Sequence, residues 1–184
     1  CMKRTLYLSM VCLLSAFSAV GQIGLRGLNP IEKQKLQLPE LPASQSRVTL
    51  LRSSENVDYT QGVFILNEDW FGHNNSTINF MTSSGDFAYR IFQTANPGKE
   101  LGCTSQFGTI FGDNMFITSK QPKDGGASIE GGRLNVVDAK TMKVKAQFTD
   151  IGGGDGRAFL GVNDSVGYIG ASNGIFLFDI KNLT

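Results

Sequence analysis

Ser165-Val166-Gly167-Tyr168-Ile169-Gly170-Ala171-Ser172-Asn173-Gly174-Ile175-Phe176-Leu177-Phe178-Asp179-Ile180-Lys181-Asn182 holds two short apolar runs split by a polar turn, then an Asp and a turn with Lys. The same plan stands upstream. Asp113-Asn114-Met115-Phe116-Ile117-Thr118-Ser119-Lys120 and Gly132-Arg133-Leu134-Asn135-Val136-Val137-Asp138-Ala139-Lys140-Thr141 are its two halves, parted by an insertion. Two β-runs separated by Gly, Asn or Ser read as a hairpin. Hairpins recurring every 40–50 residues or so are the signature of a β-propeller blade.

A third copy lies earlier. Val63-Phe64-Ile65-Leu66-Asn67 is fully apolar up to its Asn, and Thr77-Ile78-Asn79-Phe80-Met81-Thr82 follows after a polar turn. Phe64-Ile65, Phe116-Ile117 and Tyr168-Ile169 align at a spacing of ~52 residues. Each of the first two copies continues into a further predicted strand, Ala88-Tyr89-Arg90-Ile91-Phe92 and Val144-Lys145-Ala146-Gln147-Phe148. Openers of the next units follow at Gln106-Phe107-Gly108-Thr109-Ile110-Phe111 and Arg157-Ala158-Phe159-Leu160-Gly161-Val162. Four strands per unit is the blade count of a propeller. The expected fold is therefore all-β, with about two and a half four-stranded blades over residues 62–184 and no long helix.

Composition agrees. The chain is 41% hydrophobic and 18% charged over 184 residues, as in a folded domain. Its 22 glycines against 5 prolines favour many tight turns. A net charge of +1 gives no pull toward nucleic acid or an anionic membrane. Residues 2–21 read as a signal peptide: Lys3 and Arg4 are basic, 6–20 is apolar, and Ala19-Val20-Gly21 offers small residues for cleavage before Gln22. The apolar run is too short for a lasting bilayer span, so no transmembrane segment is expected after cleavage. Residues 22–61 read as linker, broken by Leu38-Pro39-Glu40-Leu41-Pro42, with a possible early strand at 47–52. Cys103 is then the one cysteine left, and a small buried residue at a strand start is its expected role.

Gly156-Arg157-Ala158, Gly167-Tyr168-Ile169-Gly170 and Ile175-Phe176-Leu177-Phe178-Asp179 resemble the YVTN-type β-propeller repeat. Leu134-Asn135-Val136-Val137-Asp138-Ala139-Lys140-Thr141 is similar to its second half, and Gly62-Val63-Phe64-Ile65-Leu66-Asn67-Glu68 resembles the first blade of exported YncE-like propellers of Gram-negative bacteria. The resemblance spans 62–184. It implies a periplasmic or cell-surface protein. Some members of that group capture cobalamin beside an outer-membrane transporter, so the resemblance implies such a ligand and such a partner. A propeller closes with about 4–8 blades. An open stack leaves strand edges and apolar faces bare. The chain thus reads as the N-terminal part of a longer protein, with closure by oligomerising as the other reading.

No catalytic constellation is legible. Gly152-Gly153-Gly154-Asp155-Gly156-Arg157 lacks the Lys-Ser/Thr of a phosphate loop and reads as a crossover between blades. His73 is the only histidine, and no Cys/His set has zinc spacing. No metal or resident cofactor is expected. Glu68 and Asp69 are adjacent, which on a strand end points them to opposite sides.

Two hairpin loops carry the functional expectation. Glu68-Asp69-Trp70-Phe71-Gly72-His73-Asn74-Asn75-Ser76 is long for its place and holds the only Trp. Gln121-Pro122-Lys123-Asp124-Gly125-Gly126-Ala127-Ser128-Ile129-Glu130-Gly131 is an insertion in the equivalent hairpin of the second copy. If the copies repeat, both loops share one face, where insertions often gather into a binding surface. Trp70, Phe71, His73, Asn74, Asn75, Lys123 and Asp124 are the candidate ligand contacts. Aromatics supply area for a flat small molecule or glycan, and amides fix its orientation. The competing reading packs Trp70 and Phe71 back between blades, with the asparagines as turn residues. Three functions stay open: an exported non-enzymatic ligand-capturing propeller, a quinoprotein-like or lyase enzyme with its catalytic groups in further blades, and an interaction scaffold in an envelope complex.

Overall fold

The computed structural model describes residues 57–184. The signal peptide expected at 2–21, the linker before residue 57 and the strand-like run at 47–52 lie outside the described residues. The described elements are β1 (Gly62–Asn67), β2 (Thr77–Thr82), β3 (Phe87–Ala88), α1 (Ile91–Ala95), β4 (Cys103–Phe111), β5 (Asn114–Gln121), β6 (Leu134–Asp138), β7 (Val144–Phe148), β8 (Gly156–Gly161), β9 (Val166–Ala171) and β10 (Gly174–Asp179). They form three antiparallel sheets, ordered β1-β2-β3, β4-β5-β6-β7 and β10-β9-β8. Among the described residues the fold is all-β apart from one short helix.

The middle sheet matches the four strands read from the sequence. The flanking sheets have three each among the described residues. Among the described residues β1, which carries Phe64 and Ile65, lies at an edge of its sheet. The strand expected over 88–92 is also corrected. β3 stops after two residues because Arg90 takes a left-handed conformation (φ 51°, ψ 43°), and α1 follows. Ile91 and Phe92 are both buried. Successive residues of a strand point to opposite faces, whereas a helical turn lets both face one core. Asn96 pins that turn: its Nδ2 donates to Phe92 O and Met142 O, both at 2.8 Å, and its Oδ1 accepts from Val144 N at 2.9 Å. Ordered structure also begins earlier than residue 62, since Val57 and Tyr59 pack against the first core.

Alternation along the middle sheet builds two cores. Met115 and Ile117 of β5 and Val137 of β6 join Ile78, Phe80, Ile91 and Phe92 on one side. Phe116 of β5 and Leu134 and Val136 of β6 join Ile151, Phe159, Ile169 and Phe178 on the other. Successive side chains of a strand leave on opposite faces, so a strand buried on both sides is apolar at nearly every position. Phe116 and Phe159 stack with centroids 3.7 Å apart and planes 5° apart, and Phe178 meets both edge-on. The three sheets thus layer face on face.

The Asp read at the end of each repeat closes a turn. Asp138 Oδ1 accepts from Lys140 N (3.1 Å), Thr141 N (3.0 Å) and Thr141 Oγ1 (3.0 Å). Asp179 Oδ1 accepts from Asn182 N at 2.9 Å, and its Oδ2 from Asn182 Nδ2 at 2.8 Å. β4 and β8 also carry a bulge at the same place in their sheets, at Gln106 and at Arg157. The glycine run 152–154 turns the chain from β7 to β8, with Gly152 and Gly153 at φ 52° and 77°. On the outer face of the third sheet, Leu160, Tyr168 and Leu177 are paired in one row across the three strands and stay exposed.

Candidate functional site

The two long hairpin loops meet. The first, residues 68–76, joins β1 to β2, and the second leaves β5 at Gln121 and returns at Leu134. Asn75, 4% exposed, donates from Nδ2 to Ile129 O and accepts on Oδ1 from Asp124 N, both at 2.8 Å. Asp124 is 1% exposed. Its Oδ2 accepts from Gly72 N at 2.7 Å, and its Oδ1 from Gly126 N at 2.8 Å. The Cys103 thiol donates to Asp124 Oδ2 at 3.3 Å.

Electrostatics follow from those contacts. The Gly126 N–H holds the Asp124 carboxyl below the usual carboxylate range; burial opposes this, and Gly72 N–H, the thiol and His73 add to the lowering. Burial pushes the Cys103 thiol up; the Thr104 hydroxyl opposes this, and the bond to Asp124 adds to the rise. The thiol therefore stays protonated and acts as a donor. Cys103 is the first residue of β4 and is 1% exposed, a small packed residue at a strand start.

Beneath the loops lies a buried polar layer. Ser76 Oγ donates to Glu68 O at 3.2 Å and accepts from Ser105 N at 2.8 Å, and Ser105 Oγ pairs with Ser119 Oγ at 2.6 Å. Ser76, Ser105 and Ser119 are each 1% exposed or less. Hydrogen-bonded polar groups of this kind fix the strand ends that carry the loops.

The aromatics do not pack back between the sheets. Trp70 is 70% exposed and Phe71 68%. The His73 ring lies against the Trp70 indole, centroids 3.8 Å apart and planes 34° apart. Asn74 and Lys123 are exposed. Of the seven candidate contacts, then, Trp70, Phe71, His73, Asn74 and Lys123 face solvent, while Asn75 and Asp124 tie the two loops together.

Two recesses adjoin the loops. A polar pocket of about 160 Å³ is lined by Asn74, Asn75, Arg90, Glu100 and residues 126–129. An open trough of about 690 Å³ is lined by Asn67, Asp69, Trp70, Thr77, Asn79, Tyr89 and Arg90. Arg90 lines both. Its Nη2 donates to Glu100 Oε1 at 3.3 Å, and its backbone N donates to Asn79 Oδ1 at 2.9 Å. Gln93 Nε2 donates to Glu100 Oε2 at 2.7 Å and steadies that acid.

The trough adds Tyr89, Arg90, Asn67 and Asn79 to the residues read from the sequence. Asn67 and Asn79 carry a signal in hindsight. They are amides at alternate positions of apolar strands, opposite Thr77 and Ile65, on the face turned away from the core. Tyr89 and Arg90 carry none, because their position depends on the break at Arg90.

The fold and these loops define an all-β protein of stacked antiparallel sheets with an aromatic and polar loop cluster at one end. The chain belongs to the family described as a domain of unknown function, DUF5074, which matches residues 61–184. No curated protein matches the chain.

Proposed function

We propose that the three sheets are successive blades of a β-propeller, of the YncE-like kind that the repeat residues resemble. Three features support this reading. The sheets stack in sequence order, the turn Asp recurs at Asp138 and Asp179, and the strand bulge recurs at Gln106 and Arg157. On this reading the chain is an exported, non-enzymatic binding module at the envelope of a Gram-negative cell. Its loop cluster takes a flat small molecule with polar edges, a corrinoid or a glycan, and hands it to an outer-membrane transporter.

The observation that carries the binding role is the exposure of Trp70 over a trough edged by amides, Asp69 and Arg90. A large apolar ring left in solvent gains little for the fold and offers area to a ligand. The nearby acids Asp124 and Glu100 are held by hydrogen bonds and an ion pair, so they serve geometry. Trp70 is the only Trp in the chain, so its fluorescence reports this site alone. Titration of this chain with cobalamin, cobinamide and a panel of neutral and acidic oligosaccharides is expected to give saturable quenching with one of them, matched by calorimetry. A flat response across the whole panel in both measurements overturns the reading.

A further inference from the structure

The geometry points to the insertion at 121–131 as a brace that holds the Trp70 indole in place, with Asp124 and Gly126 as positioning residues that touch no ligand. This rests on the proposed binding role of Trp70 but is observable without a ligand. The contacts form one chain. Asp124 Oδ2 holds Gly72 N at 2.7 Å, two residues from Trp70. Gly126 lies against the same loop so closely that a Cβ there would sit 2.6 Å from His73 Cα and 2.7 Å from Gly72 O. Only a residue without a side chain fits such an approach. His73 N and Asn74 N donate to Trp70 O at 3.0 and 3.1 Å, closing the turn, and the His73 ring covers one face of the indole. Asn75 completes the clasp from the other side by accepting Asp124 N.

The arrangement explains a pairing that is otherwise odd. A carboxylate is 1% exposed in a surface insertion, with two backbone N–H donors and a thiol, while the aromatic it indirectly supports is 70% exposed. Buried anions need such partners to be tolerated. What they fix is the backbone of 72–74, and through the His73 ring the rotamer of Trp70. A pre-ordered indole loses less freedom on binding than a free one, which raises affinity without adding a contact. One indole face is taken by His73, so a ligand ring has the other face and the trough.

The test uses the chain of residues 1–184, in which Trp70 is the single Trp. Steady-state anisotropy and acrylamide quenching of Trp70 are measured for wild type, Asp124→Asn and Gly126→Ala. Asp124→Asn keeps the shape but turns one of the acceptors into a donor facing an N–H. Gly126→Ala pushes on the His73 backbone. Asp138→Asn, which breaks a turn elsewhere, is the control for general loosening. Both loop variants are expected to raise the quenching constant by about twofold and lower anisotropy, with the far-ultraviolet spectrum unchanged, while the control leaves Trp70 as in wild type. With a ligand in hand, both loop variants are expected to weaken binding about three- to tenfold. Unchanged Trp70 signals in both loop variants, the same change in the control, or failure of both loop variants to fold overturns the brace. A loosened Trp70 in a protein that binds nothing leaves the brace standing and removes the binding role.

Discussion

Phe116→Ala probes the layered fold at its best-packed point. Phe116 is fully buried on the face of β5 that meets the third sheet. Its ring stacks on Phe159 at 3.7 Å and meets Phe178 edge-on at 6.1 Å. Truncating a buried Phe to Ala removes the transfer energy of the ring and leaves a cavity, about 3–5 kcal/mol together. A domain of this size has roughly 5–15 kcal/mol in total, so the loss is about a fifth of it or more. At about 3–5 °C per kcal/mol the melting temperature should fall by roughly 10–25 °C. Leu177→Ala is the matched control: Leu177 is 69% exposed on the outer face of the third sheet, and its loss should cost under about 0.5 kcal/mol. Phe159→Ala removes the other half of the stack. The double variant should cost less than the two singles together, by about 0.5–3 kcal/mol, because both rings fill one space. Urea and thermal melts of wild type and the four variants supply the numbers. A cost for Phe116→Ala below about 1 kcal/mol, or strict additivity with Phe159→Ala, refutes a shared core between the second and third sheets.

Two further outcomes follow from particular groups. Burial alone raises the pKa of Asp138, but the Thr141 hydroxyl, Lys145 and the turn N–H groups outweigh it and leave it lowered. A carboxyl with a depressed folded pKa stabilises fully above its unfolded value of about 3.9 and loses that contribution as pH falls through the folded value. Asp138→Asn should therefore cost about 0.5–1.5 kcal/mol at pH 7, and its melting curve should converge with wild type as pH falls below the ordinary carboxylate range; curves that stay parallel into strong acid contradict the assignment. The exposed row Leu160, Tyr168 and Leu177 should drive self-association, so Leu177→Lys should lower the sedimentation-average mass at high concentration; identical sedimentation of the two proteins speaks against an adhesive face.

The strands were legible because their cause is local. Alternation in β5 and β6 and the recurring Asp turn mark β-runs and where they stop, and neither needs a distant partner. The meeting of the two long loops also followed from the repeat alone, since equivalent hairpins in stacked copies share an end. What the sequence did not give away depends on long-range contacts. The run at 88–92 has strand composition, yet Arg90 turns left-handed and Ile91 and Phe92 enter the first core as a helical turn. Asp124 looks like any loop carboxylate until Gly72, Gly126 and Cys103 are placed around it. Tyr89 and Arg90 join Trp70 in the trough only because the strand breaks beside them. In the sequence Trp70 reads either as a ligand contact or as a residue packed between sheets, and its 70% exposure speaks against the second.

The most direct measurement of the binding role is Trp70→Ala in the intact protein, with affinity and melting temperature read on the same preparation. Trp70 is exposed and contributes little to either core, so the melting temperature should move by less than about 2 °C. Loss of an aromatic anchor commonly costs at least ~2 kcal/mol in binding, so the dissociation constant for the ligand found by fluorescence should rise about thirtyfold. A fall in melting temperature with unchanged affinity would contradict the account and return Trp70 to a purely structural role.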